Sequence, residues 1–512
     1  MFTTTLSPPR GVATGSSREP ISLRRLFPAA SFVGCADIRV TDATERASEC
    51  SPGVLFAARP GHRNDGIDFT ADAIARGASA LLVSRPQSGV NVPQCVLPDV
   101  GRGFGMLCAS LAGRPMRAVR TVGVTGTNGK TTVTWLIRSL LRSAGRECGL
   151  LGTIEYSDGS RTVPATLTTP DAKSFWRWFA AMAQQGTPFA AAEMSSHALH
   201  QDRVAGAELE LAVVTNITHD HLDYHGTTAG YFASKAKILS LVRPGGCVIL
   251  NQDDGSIDAL RPRVPAGVDV LTFALRRRAA VTASHIRRSP EGMRFTLSLR
   301  GRQVDVQTPL LGRQNVANCL AAVAAVDQFG LSADQITEAL SSVTAPPGRM
   351  ERVTNGAPFE VFVDYAHSPD ALHKAIATVR SIATGRVIVV FGAGGDRDRS
   401  KRPLLGAAAN SADVAVVTSD NPRSEDPAGI IEEILVGLAD DRCEAFVEPD
   451  RAAAIARAIA VAEPGDAVLI AGKGHETSQT FADRVVPFDD RLVATAVLRE
   501  RMESLVSETV AA

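Results

Sequence analysis

Apolar and polar positions alternate along this chain in short blocks, and the blocks change character twice. From residue 21 to about residue 117, brief apolar segments such as "GVLFAA" and "ASALLVS" are separated by polar turns, which predicts a small mixed α/β domain. The strand "TVGV" then opens a region where apolar runs ("FAAAEM", "LAVVTNI", "CVILN") alternate with helical stretches. This alternation is typical of a parallel sheet wrapped by helices.

A second boundary is predicted at the Pro-Pro-Gly breaker in "TAPPGRME". Beyond it, four short β-branched runs ("VFVDYA", "RVIVVFGAG", "DVAVVTSD", "AVLIAGKG") are each followed by a helical segment, as in a Rossmann-like domain. We therefore predict an α/β protein of three domains that follows a disordered tail. The predicted ranges are 1–20 for the tail, 21–118 and 119–345 for the first two domains, and 346–512 for the third.

Length and composition agree with this division and exclude several classes of protein. At 512 residues and 54.0 kDa the chain is too long for one core. Its 54 basic residues balance 54 acidic ones, so no global charge attracts it to nucleic acid or to a membrane. Eight scattered cysteines without a C-x-x-C pair indicate a reducing compartment. With no apolar run near the roughly 18 residues of a membrane span and no signal core, we expect a cytoplasmic protein.

The stretch "GVTGTNGKTT" lies between the predicted strand and a helix that begins near Lys130. Backbone N–H groups of such a turn cradle phosphate oxygens, while the lysine neutralises the β and γ phosphates and Thr131 binds magnesium. Only two residues separate Gly126 from Gly129, whereas the common P-loop has four at this point. The alternative is a glycine-rich turn with an accidental Lys-Thr. We predict a P-loop-type ATPase domain at the centre of the chain.

Two polar stretches follow apolar runs of the same domain. "AAEMSSHALHQDRV" places the carboxylate of Glu193 at a strand end beside the phosphate loop, where a magnesium ion would accept oxygen ligands. "TNITHDHLDYHG" contains His219, Asp220, His221, Asp223 and His225. This second stretch fits either a metal site or a polar loop, and no cysteine partner or H-E-x-x-H spacing supports zinc.

The stretch "GTNGKTT" resembles the nucleotide loop of the Mur ligase family and of its relative folylpolyglutamate synthetase, which form amide bonds through an acyl phosphate. The resemblance extends over nearly the whole chain from about residue 50. It is closest to the members that add the third residue of the peptidoglycan stem peptide. It implies ATP-dependent addition of meso-diaminopimelate to the D-glutamate of UDP-N-acetylmuramoyl-L-Ala-D-Glu, a step that cell shape and cell division require. Alternatives are L-lysine as the added residue, a folylpolyglutamate synthetase-like ligase, and a non-catalytic nucleotide-binding relative.

The resemblance also implies a role for individual residues around ATP. The catalytic residues are Lys130, Glu193, His221 and Lys235, and the magnesium ligands are Thr131, Glu193, His221 and a carbamylated Lys235. The helix "YFASKAKIL" offers Lys237 as a rival, but the motif spacing favours Lys235. The nucleotide is held by Gly126, Thr127, Asn128, Gly129, Lys130, Thr131 and Thr132, by Asn315 and Asn318 at the adenine, by Arg349 at the hinge and by Asp364 at the ribose.

The two other substrates have their own implied contacts. The UDP dipeptide is assigned to Thr168, Thr169, Ser195, Gln201 and Arg203, with "GHRN" (His62, Arg63 and Asn64) as uridine contacts. Where the family carries Asp-Ser-Arg for the uridine, this chain reads "TDATERASECSPG", so either an insertion has shifted the motif or the pocket has been rebuilt. The diaminopimelate pocket is assigned to Arg397, Asp420, Asn421, Pro422, Arg423, Gly472 and Glu476.

Meso-diaminopimelate differs from lysine by a carboxylate at its far end, and a guanidinium binds a carboxylate through two parallel hydrogen bonds. Arg423 follows an Asn-Pro turn in "SDNPRSEDP". The alternative interpretation is that it is a solvated arginine on a loop. We expect its guanidinium to select diaminopimelate, while Glu476 accepts from the neighbouring ammonium. We expect small-molecule substrates, no nucleic-acid partner, no membrane span and a monomer.

Overall fold

The computed structural model of the 512-residue chain describes residues 19–61, 64–218, 220–289, 291–353, 356–438 and 443–511. The predicted tail therefore lies almost entirely outside the described residues. Within them, no helix is both long enough and apolar enough to cross a membrane.

The first region contains a five-stranded sheet and a separate two-stranded pair. Its strands are β1 (Ile21–Ser22), β2 (Ser31–Val33), β3 (Arg39–Val40), β4 (Asp42–Thr44), β5 (Val54–Ala57), β6 (Ala80–Val83) and β7 (Gln94–Val96). Its helices are α1 (Leu23–Leu26), α2 (Thr70–Ala75) and α3 (Val100–Leu111). Strands β4 to β7 are parallel, and β2 pairs antiparallel with β7 at the edge.

The central region is built on an eleven-stranded sheet in the order β11-β10-β9-β12-β8-β13-β14-β15-β16-β17-β18. Its strands are β8 (Arg120–Thr125), β9 (Cys148–Leu151), β10 (Glu155–Ser157), β11 (Thr162–Pro164), β12 (Phe189–Glu193), β13 (Leu209–Val214), β14 (Val242–Asn251), β15 (Asp269–Ala274), β16 (Val281–Ser289), β17 (Gly292–Leu299) and β18 (Arg302–Thr308). Its helices are α4 (Lys130–Ser143), α5 (Ala172–Gln184), α6 (Ser196–His200), α7 (Leu222–His225), α8 (Thr228–Ala236), α9 (Ile257–Leu260), α10 (Arg313–Gln328) and α11 (Ala333–Ser342).

This sheet is parallel only in its middle, from β9 through β16, and both of its edges are antiparallel. The sequence analysis predicted the parallel part and missed the edges. Strand β17 alternates between buried and more exposed side chains, as expected for a strand with one face on the core and one toward solvent. The continuous apolar runs of β8, β12 and β13, in contrast, are covered on both faces.

The third region has a six-stranded sheet in the order β19-β20-β24-β21-β22-β23, and a hairpin formed by β25 and β26. Its strands are β19 (Glu351–Arg352), β20 (Glu360–Asp364), β21 (Val387–Phe391), β22 (Val414–Val417), β23 (Glu444–Val447), β24 (Ala467–Ala471), β25 (Ser478–Thr480) and β26 (Val485–Pro487). Its helices are α12 (Pro369–Arg380), α13 (Lys401–Ala409), α14 (Pro427–Leu435), α15 (Arg451–Val461) and α16 (Asp490–Ala511). The four predicted strands form the parallel centre, and the α/β fold class is confirmed.

Apolar cores lie on both faces of the central and third sheets. One core is shared by the first region and one face of the central sheet, where α3 packs against α5. The other face is covered by α4 and α10, and the middle of α10 ("NCLAAVAAV") is almost entirely buried because it lies between α4 and the sheet. The third sheet is covered in the same way on its two faces.

Strand register brings three chain segments to one edge of the central sheet. Glu193 at the end of β12 pairs with Val124 of β8, and Val214 at the end of β13 pairs with Thr125 of β8. The loops that follow β8, β12 and β13 therefore leave the sheet side by side, at the edge where ligands bind in open α/β sheets.

A buried ion pair joins the two C-terminal helices below the third sheet. Arg451 at the start of α15 and Asp490 at the start of α16 are both fully buried, and two hydrogen bonds of 2.7 Å link them. The guanidinium also donates to the carbonyl oxygen of Ala471 at 2.9 Å. The pair thus fixes the last helix to the end of the strand β24.

We predict that Arg451→Met lowers the free energy of unfolding by about 3–5 kcal/mol, because the Asp490 carboxylate is then left buried without its partner. Urea unfolding of the whole chain measures the change. The matched control is Arg499→Met, whose ion pair with Glu503 is exposed, and it should leave stability unchanged. Equal stability of the two variants would contradict the prediction.

Candidate active site

The loop after β8 wraps around an open space in front of α4. Gly126 and Gly129 have φ angles of 153° and 87°, and a side chain on Gly126 would overlap the Thr215 hydroxyl. The Lys130 ammonium donates to the carbonyl oxygens of Gly126 and Thr127 at 2.9 and 3.0 Å. Burial lowers the pKa of Lys130. The strand, glycine-rich turn and helix of the prediction are all present, with the lysine at the helix start.

The carboxylate of Glu193 lies fully buried beside this loop. One of its oxygens accepts hydrogen bonds from the hydroxyls of Thr131 and Thr153 at 3.1 and 3.0 Å, and the other accepts from the Thr153 backbone N–H at 2.7 Å. The hydroxyls of Thr153 and Thr168 lie 3.2 Å apart. Oxygen atoms of the phosphate loop, of Glu193 and of the predicted dipeptide site therefore meet in one place.

Lys235 points from α8 into the underside of the same loop. Its side chain is 2 % exposed, and its ammonium donates to the Gly126 carbonyl at 2.7 Å and lies 4.7 Å from the centre of the Tyr231 ring. Burial, and then the nearby charge of Lys130, hold the pKa of Lys235 well below its usual value. A neutral amine is therefore more accessible here than in a solvated lysine on a helix surface.

The rival Lys237 has a different environment. Its side chain is 42 % exposed, and its ammonium pairs with Asp202 at 3.1 Å. It follows α8, at the start of a short 3-10 turn (Lys237–Leu241). Only Lys235 of the two reaches the phosphate loop.

His221 and Asp220 lie beside this loop, after β13. The His221 backbone is left-handed, with a φ of 52°, and its Nε2 lies 3.4 Å from the Asp220 carboxylate. Burial lowers the pKa of His221 to about 3, so the imidazole is neutral. Although burial opposes it, the neighbouring His221 and Lys401 lower the pKa of Asp220 below its usual range. His219 lies outside the described residues.

The residues predicted for the UDP dipeptide form one chain of hydrogen bonds. The Thr169 hydroxyl donates to the Glu193 carbonyl at 2.8 Å and accepts from the Ser195 backbone at 3.0 Å. Arg203 donates to the Thr169 carbonyl at 3.0 Å and to the Gln201 amide oxygen at 2.9 Å. Asn64 lies apart on an exposed turn of the first region, while His62 and Arg63 lie outside the described residues.

A cavity of about 460 Å³ opens above the phosphate loop, between the central and third sheets. Asn318 donates to Asn315 at 2.9 Å on one wall. On the opposite wall, Arg349 lies 4.4 Å from the centre of the Tyr365 ring, and the Asp364 carboxylate accepts from the backbone of Met350 and Ala366 at 2.7 and 2.9 Å. The residues predicted for adenine, hinge and ribose thus line one space with the loop.

The residues predicted for the amino acid lie at the carboxyl ends of β21, β22 and β24. Arg423 has a left-handed φ of 53°, and its guanidinium donates to the Gly395 carbonyl at 2.6 Å. Arg397 and Arg423 both lie close to Gly394. The amide of buried Asn421 donates to the Glu476 carboxylate at 2.8 Å. Pro422 is buried, as is Asp420, which packs closely against Gly472.

Comparison with known proteins identifies the family. The family models for the Mur ligase middle domain, the Mur ligase glutamate ligase domain and the Mur ligase catalytic domain match residues 124–326, 348–474 and 44–100. A protein of Geobacillus thermodenitrificans is 44 % identical over 458 residues, which cover 88 % of this chain and 93 % of that protein. The chain belongs to the Mur ligase family.

Other similar proteins bear related names. The Geobacillus protein is named UDP-N-acetylmuramoyl-L-alanyl-D-glutamate–2,6-diaminopimelate ligase, as is a protein of Solibacter usitatus that is 42 % identical over 468 residues, or 91 % of this chain and 94 % of that protein. A solved structure of a ligase with that name is 31 % identical, with a TM-score of 0.67, and the match covers 94 % of this chain and 99 % of that one.

Two more distant structures share the fold of this Mur ligase. MurF ligase from Thermotoga maritima, in complex with ADP, is 18 % identical with a TM-score of 0.59, over 91 % of this chain and 98 % of that one. Folylpolyglutamate synthase of Mycobacterium tuberculosis, complexed with ADP and AMPPCP, is 22 % identical with a TM-score of 0.61, over 73 % of this chain and 92 % of that one.

Several site residues of this Mur ligase were missed by the sequence analysis. Thr153 lies in an unremarkable "GTIEY" stretch, and its role is visible only from its bonds to Glu193. Arg59 of the first region donates to the Gln201 carbonyl at 3.4 Å and pairs with Glu45 at 3.0 Å. His197 stacks at 4.2 Å on Tyr224. No motif marks these residues, since their partners lie far away in the sequence.

Three contacts connect the third region directly to the phosphate loop and its surroundings. Asn128 donates to Asp370 of α12 at 3.0 Å, and Arg349 donates to the Thr131 hydroxyl at 3.2 Å. Lys401 at the start of α13 pairs with Asp220 at 2.6 Å. The third region therefore lies over the loop and covers the space in front of it.

We predict that Thr153→Val lowers the free energy of unfolding by about 1.5–3 kcal/mol, because a buried charged carboxylate loses a hydroxyl donor while side-chain volume is kept. Chemical denaturation measures the change. Thr162→Val on the edge strand β11 is the control, because Thr162 is exposed and its hydroxyl donates to the uncharged Ser157 hydroxyl. A Thr153→Val protein as stable as the control would contradict the role given to this hydroxyl.

Proposed function

We propose that this chain is a MurE-type ligase that adds meso-diaminopimelate to the D-glutamate of UDP-N-acetylmuramoyl-L-Ala-D-Glu, with ATP, in peptidoglycan precursor synthesis. Relatives at 42–44 % identity that carry this name support the proposal. The observation that supports it is structural: the phosphate loop, Thr153 and Thr168 beside the buried Glu193, and Arg349 and Asp364 of the third region line one cavity.

ATP is the phosphoryl donor in this proposal. The phosphate loop would hold the triphosphate, Asn315 and Asn318 the adenine, and Asp364 the ribose, since these groups line the same cavity. The ADP-bound relatives share the fold that builds this cavity. In the proposed division of the chain, residues 21–118 bind the UDP moiety, 119–345 bind ATP and 346–512 bind the amino acid. We further propose a cytoplasmic monomer.

The side chains present fit magnesium together with a carbamate on Lys235. Possible magnesium ligands are the oxygens of Thr131 and Glu193 and the imidazole of His221. Within the described ranges, no three His, Cys, Asp or Glu side chains are grouped so that they could hold a metal by themselves. A carbamate would supply the missing anionic oxygens. Carbamylation needs an unprotonated amine, and the lowered pKa of buried Lys235 favours that form. Bound magnesium would neutralise negative charge on the transferring phosphoryl group.

The residues of the chain then act by position and charge. The D-glutamate carboxylate attacks the γ-phosphorus of ATP, the bond to the β–γ bridging oxygen breaks and ADP leaves. Lys130 stabilises the charge that develops on the phosphoryl oxygens. The amine of the incoming amino acid next attacks the resulting acyl phosphate, and phosphate leaves from the tetrahedral intermediate. The contacts of Asn128, Arg349 and Lys401 with their partners hold the third region over the site and exclude water, which would otherwise hydrolyse the acyl phosphate.

The added residue is selected at the far end of the pocket. A Cβ on Gly394 would lie 2.9 Å from the Arg423 guanidinium and 3.7 Å from Cγ of Arg397, so both arginines lie near this glycine. In the proposal this is where meso-diaminopimelate places the carboxylate that L-lysine lacks. The half-buried Arg423 guanidinium would be left without its carboxylate partner by L-lysine, which disfavours that substrate. L-lysine is therefore the second candidate for the added amino acid. The two candidates differ only in the carboxylate that would bind Arg423.

We predict that Lys235→Ala lowers ligation by about 100-fold or more and that added acetate or formate restores part of it, since a free carboxylate replaces the carbamate. Phosphate release with all three substrates measures the rate. Lys237→Ala is the matched control and should keep full activity because Lys237 pairs with Asp202 at the surface. Full activity of Lys235→Ala without added carboxylate would exclude the carbamate.

A second prediction concerns the amino acid. The unaltered enzyme should turn over with meso-diaminopimelate and only weakly with L-lysine. Arg423→Ala should raise the KM for meso-diaminopimelate by about 10- to 100-fold, from the loss of a charge-assisted bond, and should change the KM of ATP and of the UDP dipeptide little. Arg399→Ala is the control, because Arg399 is exposed and pairs with Glu433. Equal turnover with both amino acids would contradict the assignment.

A further inference from the structure

Lys473 is a fully buried lysine at the amino-acid pocket, in the turn "AGKGHE" after β24. Its ammonium donates to the amide oxygen of Asn421 at 3.1 Å and to Oε2 of Glu476 at 3.2 Å. Removing an ammonium from water is unfavourable unless it is paired, so these two bonds are what keep Lys473 in place.

The same bonds leave the two oxygens of Glu476 in different states. Oε2 also accepts from the Asn421 amide at 2.8 Å, so two protein donors occupy it. Oε1 accepts no hydrogen bond from the described residues, and the side chain is 33 % exposed. Asn421 is itself fixed, because its amide oxygen accepts from the Thr480 backbone at 3.0 Å. One carboxylate oxygen is thus held by the protein and the other is open to the pocket.

Backbone geometry places Lys473 at this point. Gly472 and Gly474 on either side of it have φ angles of 117° and 55°, which L side chains rarely adopt. A Cβ on Gly472 would lie 2.5 Å from an Asp420 carboxylate oxygen, and one on Gly474 would lie 2.7 Å from the Gly348 carbonyl. The tight turn between these glycines brings the Lys473 ammonium and the Glu476 carboxylate to the same side.

We infer that Lys473 is a positioning residue for the diaminopimelate pocket. By holding Oε2 of Glu476 and the Asn421 amide, it presents Oε1 as the acceptor for the ammonium at the far end of the substrate. It also balances the Glu476 charge, so that Arg397 and Arg423 leave the pocket positive toward a carboxylate. This inference rests on the proposed function, because it assigns a partner to the substrate ammonium.

The test is steady-state kinetics of full-length Lys473→Gln, which removes the charge and keeps a polar chain of similar size. The KM for meso-diaminopimelate should rise by about 10- to 100-fold, while the KM values of ATP and the UDP dipeptide change less than about threefold. In a double-mutant cycle with Glu476→Gln, the two changes should be strongly non-additive because they act on one interaction. An unchanged KM for meso-diaminopimelate, or an equal rise for all three substrates, would overturn the inference.

If Lys473→Gln does not fold, Asn421→Leu is the second variant, because it removes the other donor to Oε2 and one acceptor of Lys473. The KM for meso-diaminopimelate should then rise selectively, and an unchanged value would overturn the inference. Failure of the unaltered enzyme to ligate meso-diaminopimelate would overturn the proposed function and this inference together. Ligation by the unaltered enzyme with unchanged KM in the variants would overturn this inference alone.

Discussion

Three neighbouring parallel strands, β12, β8 and β13, end level with one another, and the geometry of the central site depends on that register. It places the phosphate loop after Thr125, the carboxylate of Glu193 and the polar stretch after Val214 side by side. A slip of one residue in β12 would turn Glu193 to the opposite face of the sheet, away from Thr131. Apolar packing on both faces of these strands opposes such a slip. The packing of the core therefore determines where the site residues lie.

Burial then changes the chemistry of the side chains at this edge. Lys130 and Lys235 both donate to the Gly126 carbonyl, and burial lowers the pKa of each. Neither lysine would have these properties on a solvated helix. Burial disfavours the charged ammonium form of Lys235 and so favours the neutral amine. Carbamate formation requires the neutral amine.

The fold and the phosphate loop of the central region were largely predictable from local sequence. The strand, glycine turn and helix around Lys130 and the four central strands of the third sheet follow from apolar runs and breakers, and the structure confirms them. Residues whose role depends on distant partners were not predictable. Thr153, Lys401 and Lys473 each have a partner at or beyond the end of a different strand: Glu193, Asp220 and Asn421, respectively. These partners are known only once the sheets are assembled.

Oxygen tracing most directly tests whether this site joins two substrates through an acyl phosphate. The UDP dipeptide would be labelled with ¹⁸O in the D-glutamate carboxylate and incubated with ATP, meso-diaminopimelate and the full-length enzyme, and the released phosphate analysed by mass spectrometry. Transfer of one ¹⁸O atom to phosphate for each amide formed is the predicted result. Phosphate without the label, or with oxygen from the solvent, would contradict the account.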